Sequence, residues 1–158
     1  MINPNHFAIA ALAGKAQLTI TNPATGQWIK IKMKRRKDRT TGQPSNCYFM
    51  SLALLGDGEI GYRYVGAFFS DTNRFKRAAN ISDREIQITD WLVRALANPA
   101  SLRNTETQHA GACCKCGRKL THPESIESGF GPECFQSTYG PGTLGLRVLS
   151  QFGFLPTA

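Results

Sequence analysis

The chain has 158 residues, 41% of them hydrophobic and 9% aromatic, with a formal net charge of +8. That length suits one domain with a small appendage, able to bury roughly two thirds of its unfolded surface, and the apolar content excludes a disordered tail. The charge is uneven. Residues before His109 hold fifteen of the 19 Lys and Arg and eight of the 11 acids, about +7, so an acidic partner should meet the front part first.

Asn3-Pro4 should open a short helix over the apolar run from Phe7 to Ala13. No Lys or Arg precedes that run and it is too short to span a membrane, so a packed helix is favoured over a signal peptide. Gln17 to Thr21 alternates as a strand, and Asn22-Pro23-Ala24-Thr25-Gly26 supplies the turn to a second strand. In that strand Trp28-Ile29-Lys30-Ile31-Lys32-Met33-Lys34 alternates strictly, placing Ile29, Ile31 and Met33 on one face and a lysine row on the other. Arg35, Arg36, Lys37 and Arg39 continue the charge into a polar stretch, Thr40 to Ser45, suited to a mobile loop.

Tyr48 to Leu55 and Tyr62 to Phe69 read as a second strand pair joined through Gly56 to Gly61. Ser82-Asp83-Arg84-Glu85 has the form of a capping box. Ile88, Trp91, Leu92, Ala95 and Leu96 then recur at helical spacing up to Asn98-Pro99, giving one main helix whose apolar face, Trp91 included, packs on the sheet. Asn104 to Gln108 is polar and aperiodic, a linker by composition, which divides the chain into a basic α+β domain (1–103) and a C-terminal module (104–158). After Tyr139, Gly140-Pro141-Gly142 precedes an apolar tail, Leu144 to Leu155, which could be a strand or a helix.

The module holds four of the five cysteines in metal-ligand spacing, which argues against a disulfide framework and for a reducing, cytoplasmic setting. Cys113 and Cys116 form Cys-x-x-Cys followed by Gly117, whose positive φ suits the turn that wraps one side of a Zn²⁺ ion. Cys134 follows in Gly129-Phe-Gly-Pro-Glu-Cys, where Pro132 suits the first position of a helix and so puts the thiol in the first turn, beside free amides. His109, with three residues between it and Cys113, is the expected fourth ligand, with His122 and Cys114 as competitors. Three thiolates and a histidine fill a tetrahedron and leave no place for water, so the expected ion is structural.

This stretch resembles a family of small phage and prophage proteins of unknown function. Their shared pattern is His-x-Gly-x-Cys-x-x-Cys-Gly-Arg-x-Leu-Thr, then Pro-Glu-Ser-Ile, then Gly-x-Gly-Pro-x-Cys, matched here from His109 through Gly111, Cys113, Cys116, Gly117, Arg118, Leu120 and Thr121, then Pro123 to Ile126, to Gly129, Gly131, Pro132 and Cys134. In similar sequences the place of His122 is often acidic or apolar and that of Cys114 is not usually Cys, which favours His109. A looser likeness covers the front hairpins, at Thr25-Gly26 and Tyr64-Val65-Gly66, and stops after about Tyr139. The resemblance implies a viral origin, hence a bacterial host cell, and a zinc site, but no activity.

The deaminase signature, His-x-Glu or Cys-x-Glu ahead of Pro-Cys-x-x-Cys, does not occur in the sequence, and the acids form no tight pair suited to a nuclease or hydrolase site. Cys47, alone in an apolar strand, reads as a buried small hydrophobe. Lys30, Lys32, Lys34, Arg35, Arg36, Lys37 and Arg39 could instead grip phosphates, against the alternative of lysines guarding a solvated hairpin edge. Tyr48, Tyr62 and Tyr64 could stack on the bases of a single strand, or pack in the hairpins. The expected protein is a phage-encoded, non-enzymatic accessory protein with a small antiparallel sheet, one main helix and a Cys3His zinc finger. It would bind nucleic acid through the basic hairpin, with no membrane or small-molecule partner. The rival is a protein-binding viral inhibitor of a bacterial defence complex, of anti-CRISPR or anti-restriction type, whose basic hairpin meets an acidic surface of that host complex.

Overall fold

In the computed structural model, which describes residues 1–54 and 61–140, the front of the chain folds into an antiparallel meander. Its strands are β1 (Lys15–Thr21), β2 (Trp28–Lys37), β3 (Pro44–Leu54), β4 (Arg63–Phe69) and β5 (Arg74–Arg77). Helix α1 (Phe7–Ala11) precedes the meander and α2 (Asp83–Ala97) follows it. A sixth strand, β6 (Glu106–His109), returns to the far side of β1, giving the order β5-β4-β3-β2-β1-β6 with every pairing antiparallel. The expected α+β class is therefore observed. The connection at 55–60 and the tail at 141–158, for which a turn and an apolar element were expected, lie outside the described residues.

Alternation in the sequence becomes two unlike faces. Leu18 pairs with Ile31 and Ile31 with Leu52, so one apolar row crosses three strands, and Met33 with Met50 forms the next. These side chains are buried with Phe7, Ala10 and Ala11 of α1 and Leu92, Ala95 and Leu96 of α2. The capping box that starts α2 is formed as read: the Ser82 hydroxyl accepts from Glu85 N–H at 3.1 Å and the Glu85 carboxylate from Ser82 N–H at 2.9 Å. Trp91 and Ile88, expected in the core, lie half-buried at its rim, while Thr89 is buried instead.

Two loop expectations change. The stretch at 104–108 is a linker by composition, yet Thr107 pairs with Ile20 and is buried, because a strand at a sheet edge can be polar on its outward side. Between β2 and β3 the polar stretch, expected as a loop, is a hydrogen-bonded turn, with Asp38 N–H donating to Gln43 C=O at 2.8 Å. Asp38 accepts from Thr40 N–H at 2.7 Å and Thr41 N–H at 3.1 Å, and those amides hold its carboxyl below the usual carboxylate range.

In β4 the pairing slips. Met50 faces Gly66 while Ser51 faces Tyr64, leaving Val65 as the extra residue of a bulge. Gly66 has φ +153°, and a Cβ there would lie 2.5 Å from Cζ of Phe75 and closer still to the Lys76 carbonyl oxygen. Only glycine lets β5 approach this closely.

Candidate metal centre and candidate nucleic-acid interface

The C-terminal segment is organised by short hydrogen bonds. Cys113 N–H donates to Arg118 C=O at 2.8 Å, Gly117 N–H to Cys113 C=O at 2.9 Å and Leu120 N–H to Gly111 C=O at 2.9 Å, closing a tight hairpin in which Gly117 takes φ +80°. Two helices follow, α3 (Pro123–Ser128) and α4 (Pro132–Tyr139). Pro132 occupies the start of α4 as its fixed φ favours, and Cys134 lies in the first turn. The segment does not stand apart from the sheet. Lys15 N–H donates to Cys114 C=O at 2.8 Å, and Cys113, Cys114, Leu120 and Phe130 join the same buried core as Phe7 and Leu18.

The hairpin and the helix bring the sulfurs of Cys113, Cys116 and Cys134 within 4.8 Å of one another. Tetrahedral thiolates on one ion with Zn–S of about 2.3 Å stand roughly 3.8 Å apart, so the three converge closely enough to share an ion after small side-chain adjustments. Burial pushes the Cys113 thiol up, but the N–H groups of Gly131, Cys116 and Lys115 and the Cys116 thiol outweigh it and bring it down to about 7. Of these, Gly131 N–H stands 3.4 Å from the sulfur. Cys134 is pushed up to about 12, first by burial and then by the facing Cys116 and Cys113 thiols. That opposition between neighbouring thiols is what a bound cation reverses.

His109, expected as the fourth ligand, lies outside this group. Gly111 N–H donates to its Nδ1 at 3.0 Å, which leaves Nε2 carrying the proton and facing the Ile126 carbonyl. Both ring nitrogens thus tie β6 to the following turn and to α3. Neither competitor joins the thiols either. Cys114 is buried against Gly129, its thiol pushed up to about 12 by burial and by Cys113, and His122 is exposed at the N-terminus of α3.

The seven expected cations divide. Lys30, Lys32 and Lys34 all lie on the sheet face away from α1 and α2. Arg35 is on the helix side, where its Nε donates to Ser45 C=O at 2.6 Å and its guanidinium lies 5.7 Å from the Tyr48 ring. Arg36, Lys37 and Arg39 are exposed around the β2–β3 turn. Because β2 is flanked by β1 and β3, its lysine row does not guard an edge. Register adds Lys15, opposite Lys34, and Lys76, opposite Ala67, to the same face. Among the described strand residues the one carboxylate is Glu106, on β6.

The tyrosines divide too. Tyr48 is buried, its hydroxyl donating to Leu12 C=O at 2.8 Å, and so cannot stack on a base. Tyr62 carries the Lys32 ammonium 4.2 Å above its ring. Tyr64 is 48% exposed and meets Phe49, 38% exposed, edge to face at 6.0 Å. Phe49 is an exposed ring on this face that was not expected from the sequence. Its signal was present in period two, which puts it with Ser51 on the face opposite Tyr48 and Met50.

Fold and site together define an α+β protein with a six-stranded antiparallel sheet, a basic open face and a cluster of three cysteines able to hold a metal ion. Residues 103–136, spanning β6 and all three of those cysteines, match a family model described as a family of unknown function (DUF6011). No curated protein and no solved structure matches the chain. No helix among the described residues is long and apolar enough to cross a membrane.

Proposed function

We propose that this chain is a phage-encoded, non-enzymatic accessory protein that binds nucleic acid through the open face of its sheet, with a structural zinc ion holding the C-terminal segment. The carrying observation is the row Lys30, Lys32 and Lys34 on a central strand, with Lys15 and Lys76 on the same face. Each phosphate contact made there releases a condensed counterion and so adds affinity that salt removes. Three thiolates drawn together by a hairpin and a helix turn favour zinc over harder cations, which prefer oxygen ligands. The resemblance of the cysteine motif to phage and prophage proteins supports the viral origin, and reduced clustered cysteines support a cytoplasmic setting.

The test is binding to labelled DNA and RNA across a salt series, for the native protein and for Lys30→Gln/Lys32→Gln/Lys34→Gln. Log affinity should fall linearly with log salt, and the triple change should lower the slope by close to three units on duplex and about two on single strands. The same face would also suit an acidic host protein, as the inhibitor reading requires. Absence of binding to any nucleic acid at low salt would favour that reading.

A further inference from the structure

We infer that the open face takes single-stranded rather than duplex nucleic acid, seating bases on Phe49 and Tyr64 while Lys30, Lys32 and Lys34 track the phosphates. This rests on the nucleic-acid reading above and names its substrate class. Phe49 and Tyr64 are the two large hydrophobic side chains that the described sheet leaves exposed, and they stand together, 6.0 Å apart. Both share the lysine face, since Phe49 is opposite Lys34 and Tyr64 is opposite Ser51, itself opposite Lys32. The lysines repeat every second residue along β2, about 6.6 Å apart, and the aromatics lie on the next one and two strands, each about 4.8 Å over. A backbone running along β2 therefore projects unpaired bases sideways onto the rings.

Duplex offers no such match. Its bases are stacked on each other, and a face of six strands, roughly 24 Å across, is too broad to enter a major groove about 12 Å wide. Exposed rings facing a phosphate wall would gain nothing there, whereas every base has a face that an aromatic side chain can cover. Tyr62, beneath the Lys32 ammonium, holds that cation on the face and is assigned positioning, not stacking.

The experiment is fluorescence anisotropy with a mixed-sequence single-stranded DNA, the same sequence as RNA, and the DNA as duplex, at one low salt concentration. Single strands should bind about tenfold or more tighter than duplex. Phe49→Leu and Tyr64→Leu should each weaken single-strand binding roughly 5- to 150-fold and leave duplex binding unchanged. Phe49→Tyr and Tyr64→Phe, which keep the ring and the packing, should bind like the native protein. Duplex binding as tight as single-strand binding, or Leu variants at native affinity, would overturn this inference while leaving nucleic-acid binding standing. No binding to any of the three would overturn both.

Discussion

Lys15 and Lys34 stand directly opposite each other on the open face of β1 and β2, two like charges at one rung of the ladder. Like-charged cross-strand partners weaken a sheet by roughly 0.2–1 kcal/mol, a cost that an anionic ligand lying across them would remove. Lys34→Thr should therefore raise stability by up to about 1 kcal/mol and weaken nucleic-acid binding. Urea melts and anisotropy on the same sample check the two signs together.

The cysteines and His109 should separate cleanly in metal analysis. Cys116→Ser or Cys134→Ser should lose the ion and expose the C-terminal segment to protease, because two thiolates no longer enclose it. His109→Ala should retain one ion per chain yet cost about 1 kcal/mol, from the hydrogen bonds lost to Gly111 N–H and to the solvent-accessible Ile126 C=O. Loss of zinc in His109→Ala but not in His122→Ala would return His109 to the ligand set.

Gly66→Ala should destabilise by about 1–3 kcal/mol, since its methyl group overlaps the Phe75 ring and the β5 backbone. A urea midpoint close to the native value would mean that β5 can move aside.

How well each of these features could be read from the sequence followed from how local its cause is. The lysine row, the capping box and the Cys-x-x-Cys turn are set by neighbours within a few residues, and each formed as expected. β6 was hidden because a four-residue polar edge strand carries no periodicity, and its partner β1 lies far back in the sequence. The place of His109 has a related cause. Spacing brings a histidine near a thiolate hairpin, but which way its ring turns depends on Ile126, contributed by a helix that sequence spacing does not place.

Acid should loosen the N-terminal segment. His6 lies against Tyr139, ring centroids 5.6 Å apart, in a hollow also lined by His122, Glu124, Glu127 and the terminal Met1. Burial holds its pKa below the ordinary histidine value, so the unfolded chain binds the proton more readily. The stability from this contact is complete above about pH 6.5 and is lost as pH falls through that value toward the lower folded pKa. His6→Phe should flatten the urea midpoint between pH 7.5 and 5.5; an unchanged slope would mean that another group sets this dependence.

Ultraviolet crosslinking of the intact protein to a single-stranded oligonucleotide, followed by peptide mapping, tests whether the open face of the sheet takes nucleic acid as proposed. Adducts should appear on the β3 and β4 peptides that carry Phe49 and Tyr64 and be lost in Lys30→Gln/Lys32→Gln/Lys34→Gln. Adducts confined to the β2–β3 turn at 38–43 or to the cysteine segment, with β3 and β4 clean, would contradict that proposal.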